Sequence, residues 1–110
     1  MSTPEPVQPL PRITPATADV LAGLLAAAAP TWGLRLVKGS GRPPGSVYPI
    51  LERLEGLGWV RSEWEGDDAR SGPRRRLYQL TEGGAVAAAA AVAHANRANP
   101  GQLRPSGATR

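Results

Sequence analysis

The chain has no cysteine. Disulfides, thiolate metal sites and a Cys nucleophile are therefore excluded. Its only histidine is His94, so neither a His-based catalytic dyad nor a multi-His zinc site can be built within one chain. No run has the length and apolarity of a membrane span. The N-terminus lacks the charged-then-apolar order of a secretion signal, and a cytoplasmic location is expected. Carboxylates are present at Glu52, Glu55, Glu63, Glu65, Asp67 and Asp68. No nucleophile, metal-ligand set or phosphate-cradling loop accompanies them, so no catalytic residue, metal or cofactor is expected. Lysine is also nearly missing: of 13 basic residues only Lys38 is not arginine.

What is present points elsewhere. A chain of 110 residues has room for one small domain. A core that small is marginal alone and gains from dimerising. The net charge of +4 is carried by guanidinium groups, which fork onto phosphates and guanine edges, so the balance leans toward nucleic acid.

Residues 1–12 hold Pro4, Pro6, Pro9 and Pro11 among polar neighbours and read as a flexible arm. A first helix is expected from Thr14, with Pro15 at the first helical position. Val20, Leu21, Leu24, Leu25 and Ala28 form its apolar face, Ala26 to Ala29 prolong it, and Pro30 stops it. A second, short helix is expected with Thr31 as N-cap, running to Lys38 and ended by Gly39, Ser40 and Gly41. Two short helices around a small-residue turn form a helix-turn-helix signature.

The third helix carries the most information. Val47, Ile50, Leu51 and Leu54 recur at i, i+3, i+4 and i+7, an amphipathic stripe. If Ser46 is its N-cap, Pro49 falls where a missing N–H costs little. If the helix starts at Pro44, Pro49 removes one internal bond and bends the first turn. Gly56 and Gly58 end it, with Gly58 a candidate left-handed cap. A strand from Trp59 to Glu65, a polar tip from Gly66 to Pro73 and a strand from Arg74 to Leu80 follow as a hairpin. Thr81 then reads as the N-cap of a last helix to Asn99, with eight alanines between Ala85 and Ala95. Residues 100–110 read as a disordered tail.

The expected fold is mainly α with a small β-hairpin: a winged helix-turn-helix over residues 13–80, followed by a dimerisation helix over 81–99. Such an order lays a helix in the DNA major groove and a hairpin beside it. Candidate contacts to double-stranded DNA are Arg42, ahead of the third helix, and Gly45, Ser46 and Tyr48 at its start. Gly45 permits close backbone approach; the hydroxyls donate to phosphate or to base edges. Capping and packing are the structural alternative for these three. Arg53 is a further candidate, although Glu52 and Glu55 make a surface ion pair the competing role. On the hairpin, Arg70, Arg74, Arg75 and Arg76 are candidates. Strand alternation sends Arg74 and Arg76 to one face and Arg75 to the other. Trp59 is expected in the core and Trp64 packed where the hairpin meets the body. Trp32 is expected at the start of the second helix, partly exposed. A homodimer is expected through Leu21, Leu24 and Leu25 of the first helix and Val86, Ala89, Val92 and Ala93 of the last, since alanine lets helices approach closely. His94 reads as a solvent or dimer-seam residue.

The run from Pro44 to Glu55, PGSVYPILERLE, resembles the recognition-helix motif of PadR-type transcriptional regulators. Gly58-Trp59-Val60, Ser62 to Glu65, and Gly72 to Gly84 (GPRRRLYQLTEGG) are similar to that family's wing and the start of its dimerisation helix. The resemblance covers residues 13–84. It implies a homodimeric repressor binding a palindromic operator through the third helix and the wing, in some members released by a small aromatic molecule. The short last helix resembles that of the smaller members with one C-terminal helix. The alternative is a winged-helix module whose same surface binds an acidic protein partner.

Overall fold

The computed structural model describes residues 7–27, 29–66 and 75–98. The first helix, α1, spans Pro15–Ala26, with Thr14 as N-cap and Pro15 at the first helical position. The Thr14 hydroxyl accepts from the Thr17 N–H at 3.1 Å, satisfying one of the first-turn donors. The helix stops at Ala26, and Ala27 turns extended, so the alanines do not prolong it. The chain has to turn back there, because Thr31–Trp32 forms a short strand, β1. Thr31 pairs with Tyr78 and Trp32 with Leu77. Thr31 is thus a buried strand residue and not the expected helix cap.

The second helix, α2, spans Gly33–Ser40, with Trp32 at the N-cap position and no capping side chain. Gly39 and Ser40 lie inside it. Gly41 alone ends it, in the left-handed region at φ 73°, with its N–H on the Val37 carbonyl at 3.2 Å. The third helix, α3, spans Pro44–Gly56 with Pro43 at the N-cap position. Pro49 therefore sits within the helix, and its ring leaves the Gly45 carbonyl without the usual partner four residues on. The other end closes with a Schellman motif. The Trp59 N–H bonds the Leu54 carbonyl at 2.9 Å and the Gly58 N–H bonds Glu55 at 3.1 Å. Gly58 itself takes φ 86°, which only glycine adopts at little cost.

Strand β2 spans Val60–Trp64 and β3 spans Arg76–Leu80. They pair antiparallel, with Ser62 opposite Tyr78 and Trp64 opposite Arg76. The sheet order is β1-β3-β2. Trp64, expected to pack against the body, is 56% exposed. It shares the face of buried Val60 and of Ser62 but stands at the far end of the edge strand, opposite Arg76. The last helix, α4, spans Glu82–Ala98. Its N-cap is Thr81, whose hydroxyl accepts from the Gly84 N–H at 2.9 Å.

Val20, Leu21, Leu51, Leu54 and Val47 are wholly buried, each stabilising by about 1.5–3 kcal/mol. Trp59 and Ala88 join them, so α4 docks on the same core. Leu21 and Leu24, expected at a dimer surface, are inside this protomer's own core. The expected arm also differs over residues 7–10. Val7 and Leu10 pack on the core. The Gln8 N–H bonds the Leu57 carbonyl at 3.1 Å, and the Gln8 carbonyl accepts from Trp59 Nε1 at 2.6 Å. The segment needs no secondary structure of its own, because it pairs with a helix-end carbonyl and an indole N–H. Residues 1–6 and 99–110 and the expected Ala28 position lie outside the described residues.

A Cβ placed on Gly84 would overlap the Trp59 carbonyl, a backbone group that cannot swing away. Gly84→Ala is expected to lower the melting temperature markedly. Gly56→Ala, which meets nothing within 4 Å, should be neutral or gain up to about 1 kcal/mol in a thermal or denaturant melt.

Candidate nucleic-acid interface

Helix α3 has two faces of opposite character. Val47, Leu51 and Leu54 are buried, while Gly45, Tyr48, Pro49, Glu52 and Arg53 are exposed. The exposed set recurs at i, i+3, i+4, i+7 and i+8, a continuous outward stripe. Ser46 is half-buried at its edge. Tyr48 is 41% exposed, yet its position is defined by packing. Its ring lies on the first residue of α2, where a Cβ on Gly33 would overlap ring carbons and come 2.7 Å from the phenol oxygen. Gly33 is thus what allows the phenol to lie across the helix-turn-helix.

Arg42 sits in the turn before α3, as expected, but is already engaged. Its Nη2 is 2.9 Å and its Nε 3.0 Å from Asp19 Oδ2 of α1. With both side chains about one-third exposed, this pair contributes little to stability and mainly orients the turn. The Ser40 hydroxyl adds to that, accepting from the Arg42 N–H at 3.1 Å.

The wing root is joined to α3 by polar contacts. The Ser62 hydroxyl donates to Glu55 Oε2 at 2.7 Å, holding β2 on the last turns of the helix. Across the hairpin the Glu65 N–H bonds the Arg75 carbonyl at 2.8 Å, and the Arg75 N–H bonds Glu65 Oε1 at 3.1 Å. Burial raises the Tyr78 phenol above its ordinary value; the Arg76 guanidinium opposes the shift, and Tyr48 and Glu55 add to it. Because the folded value is raised, Tyr78's contribution to stability is complete below about pH 10 and is lost as pH rises through the raised value.

The wing arginines lie on tryptophans. Arg75 stacks over Trp32 with its guanidinium carbon 3.7 Å from the ring centroid, and Arg76 lies 5.1 Å over Trp64. The two rings flank β3 on opposite sides, Trp32 from β1 and Trp64 from β2. Stacking orients each fork and leaves its N–H edges in plane. Sequence reasoning did not assign this platform role. A signal existed for Trp64, which stands directly opposite Arg76, but the register was not readable from the sequence. Arg35, exposed on the first turn of α2, was also missed. Arg70 and Arg74 lie outside the described residues.

The dimerisation candidates fall into two sets. Leu21 and Leu24 are buried, and Val92 is half-buried against the core. Leu25, Val86, Ala89 and Ala93 are exposed, with Val86 at 66%. The last three follow i, i+3, i+7 spacing on α4. Among the described residues no group of His, Asp and Glu could hold a metal, and no helix is long and apolar enough to cross a membrane.

Residues 24–90 match the profile of the transcriptional regulator PadR-like family. No curated protein matches the chain. Among solved structures, the chain is similar to the circadian clock associated protein Pex from Anabaena (18% identity, 82% of each chain covered, TM-score 0.64). It is also similar to a PadR-like transcription factor from Bacteroides fragilis (24% identity, 78% of this chain and 86% of that one, TM-score 0.55). A third is Lactococcus lactis ZitR in complex with DNA (18% identity, 84% of this chain and 60% of that one, TM-score 0.57). These likenesses are of fold.

Gly33→Ala is expected to push the Tyr48 ring off α2. Its ring resonances in an NMR spectrum should shift toward solvent-exposed values, while the Trp59 indole N–H resonance stays in place. An unmoved Tyr48 ring would show that the contact with Gly33 does not position it.

Proposed function

The chain belongs to the transcriptional regulator PadR-like family, DNA-binding winged-helix regulators and not enzymes, and from that premise we propose a homodimeric repressor acting on a palindromic operator. The observation that carries this reading is the outward stripe of α3, exposed and centred on Tyr48, with the hairpin that bears Arg76 tied to the last turns of the same helix through Ser62 and Glu55. In this reading α3 enters the major groove and the wing arginines grip the backbone beside it. Ser46 and Tyr48 donate to phosphate or base edges, and Gly45 lets the helix approach closely. Arg42 turns from Asp19 to a phosphate or stays as the brace of the turn. Arg53 lies at the far end of the stripe; Arg70 and Arg74 extend the wing's charge.

The dimer is supported by α4. Val86, Ala89 and Ala93 form an exposed apolar stripe on α4, and the exposed Leu25 lines a cleft together with Ala85. A two-fold pairing there would fix the spacing of the two recognition helices. Release by a small aromatic ligand is a separate matter, and the tryptophans give it no shared wall within a protomer. Trp59 is buried, and Trp32 and Trp64 hold guanidinium groups on opposite sides of β3.

The test is selection from a random duplex pool, followed by binding titrations against salt. A specific operator should outcompete random duplex. Tyr48→Ala is expected to weaken operator binding by about 1–3 kcal/mol while light scattering still shows a dimer. Arg74→Ala with Arg75→Ala should weaken all duplexes alike and reduce the salt slope by about 2. Val86→Arg should yield monomers. Parental behaviour of the first two variants would move the DNA face elsewhere; binding of an acidic protein without duplex binding would favour the interaction module.

A further inference from the structure

An open cleft of about 470 Å³ lies where the end of α1, β1 and β3 meet. Ala29, Pro30, Trp32, Arg35, Arg75 and Leu77 contribute to its walls. Two arginines line it from different elements, Arg35 from the first turn of α2 and Arg75 from the residue before β3. Among the described residues no carboxylate lines it. Like charges facing one cleft repel, and an anion between them removes that cost.

The state of each arginine adds to this. Arg75 lies flat on Trp32 at 3.7 Å, which orients its plane before any ligand arrives. Its Nε is buried and has no hydrogen-bond partner, a costly condition for a charged donor. Arg35 is exposed and makes no ion pair among the described residues. Arg42 is the contrast, with two of its nitrogens on Asp19. Among the described residues, then, neither arginine's side chain makes a hydrogen bond or ion pair, and Arg75 lies against an aromatic ring.

A carboxylate offers two oxygens and suits one fork. A phosphate offers more, spread over a tetrahedron, and bridges two forks that approach from different sides. We propose that this cleft binds a phosphate group, bridged by Arg35 and Arg75 with Trp32 beneath. The group is either a phosphodiester of duplex DNA flanking the half-site, a source that rests on the DNA-binding reading, or a free phosphate.

Two measurements on the full chain separate these sources. In the first, affinity is followed against salt for a duplex extended beyond the half-site and for a trimmed one. If the backbone is the occupant, Arg35→Gln lowers the slope by about 1 on the extended duplex and leaves the trimmed duplex unchanged; Arg35→Lys restores most of the loss. In the second, inorganic phosphate is titrated without DNA, against potassium chloride of equal ionic strength, and the melting temperature is read. If free phosphate is the occupant, it raises the melting temperature of the parent and not of Arg35→Gln. Arg75→Lys, which keeps the charge and loses the flat stack, should weaken whichever response the parent shows. Equal slopes on the extended duplex together with equal phosphate responses in parent and Arg35→Gln would overturn the proposal. If the parent binds no duplex at all, the DNA reading fails and the phosphate titration alone decides the cleft.

Discussion

Trp59 joins nearly every part of this small fold. Its side chain is buried in the core. Its N–H closes the end of α3 on Leu54, and its carbonyl receives the Thr81 N–H at 3.0 Å. Its indole N–H holds the Gln8 carbonyl. The backbone of Gly84 lies directly against it, which is why a side chain there has no room. One residue thus sets the angle between the recognition helix, the wing, the N-terminal segment and the last helix. In a domain this short, with few wholly buried side chains, such a junction matters more than it would in a large core.

The charged surface is arranged around a second aromatic theme. The arginines next to the wing are not simply dispersed on an edge strand: Arg75 and Arg76 rest on Trp32 and Trp64, one ring from each neighbouring strand. An arginine stacked in this way loses less conformational freedom on meeting a phosphate than a free one, because its plane is already set. The acidic groups nearby are occupied locally. Glu55 accepts from Ser62, Asp19 holds Arg42, and Glu65 accepts from the Arg75 N–H. Carboxylates so engaged brace the turn, the hairpin and the helix.

Parts of this were legible in the residue order. Thr14-Pro15 announces the start of α1, and Thr81 that of α4, because hydroxyl caps and proline at the first helical position have local causes. The stripe of Val47, Ile50, Leu51 and Leu54 and the cap at Gly58 are equally local. Strand β1 was not legible: two residues carry no alternation, and Thr31 looks like a helix cap until Tyr78 is seen beside it. The docking of Gln8 had no signal either, since it uses only backbone atoms of a Pro-rich segment. Trp64 was misjudged for a related reason. A tryptophan reads as core in a sequence, and only the register that sets it opposite Arg76 shows it as a platform. Leu21 and Leu24 were assigned to a dimer because one amphipathic face serves a protomer core and a partner equally well on paper.

The amino-acid order by itself determined the four helices, the hydroxyl caps of α1 and α4 and the glycine cap of α3, the hairpin, the outward character of Gly45, Tyr48 and Arg53 on α3, and the exclusion of thiol and multi-histidine chemistry. These follow from periodicity, capping and composition, which act within a few residues. The tertiary structure alone decided where α3 begins, that Arg42 rests on Asp19, that Gly33 admits the Tyr48 ring, and that Arg35, Arg75 and Trp32 line one cleft. Each of these joins residues far apart in the chain. Their energy comes from packing and charge across elements, which no local pattern encodes.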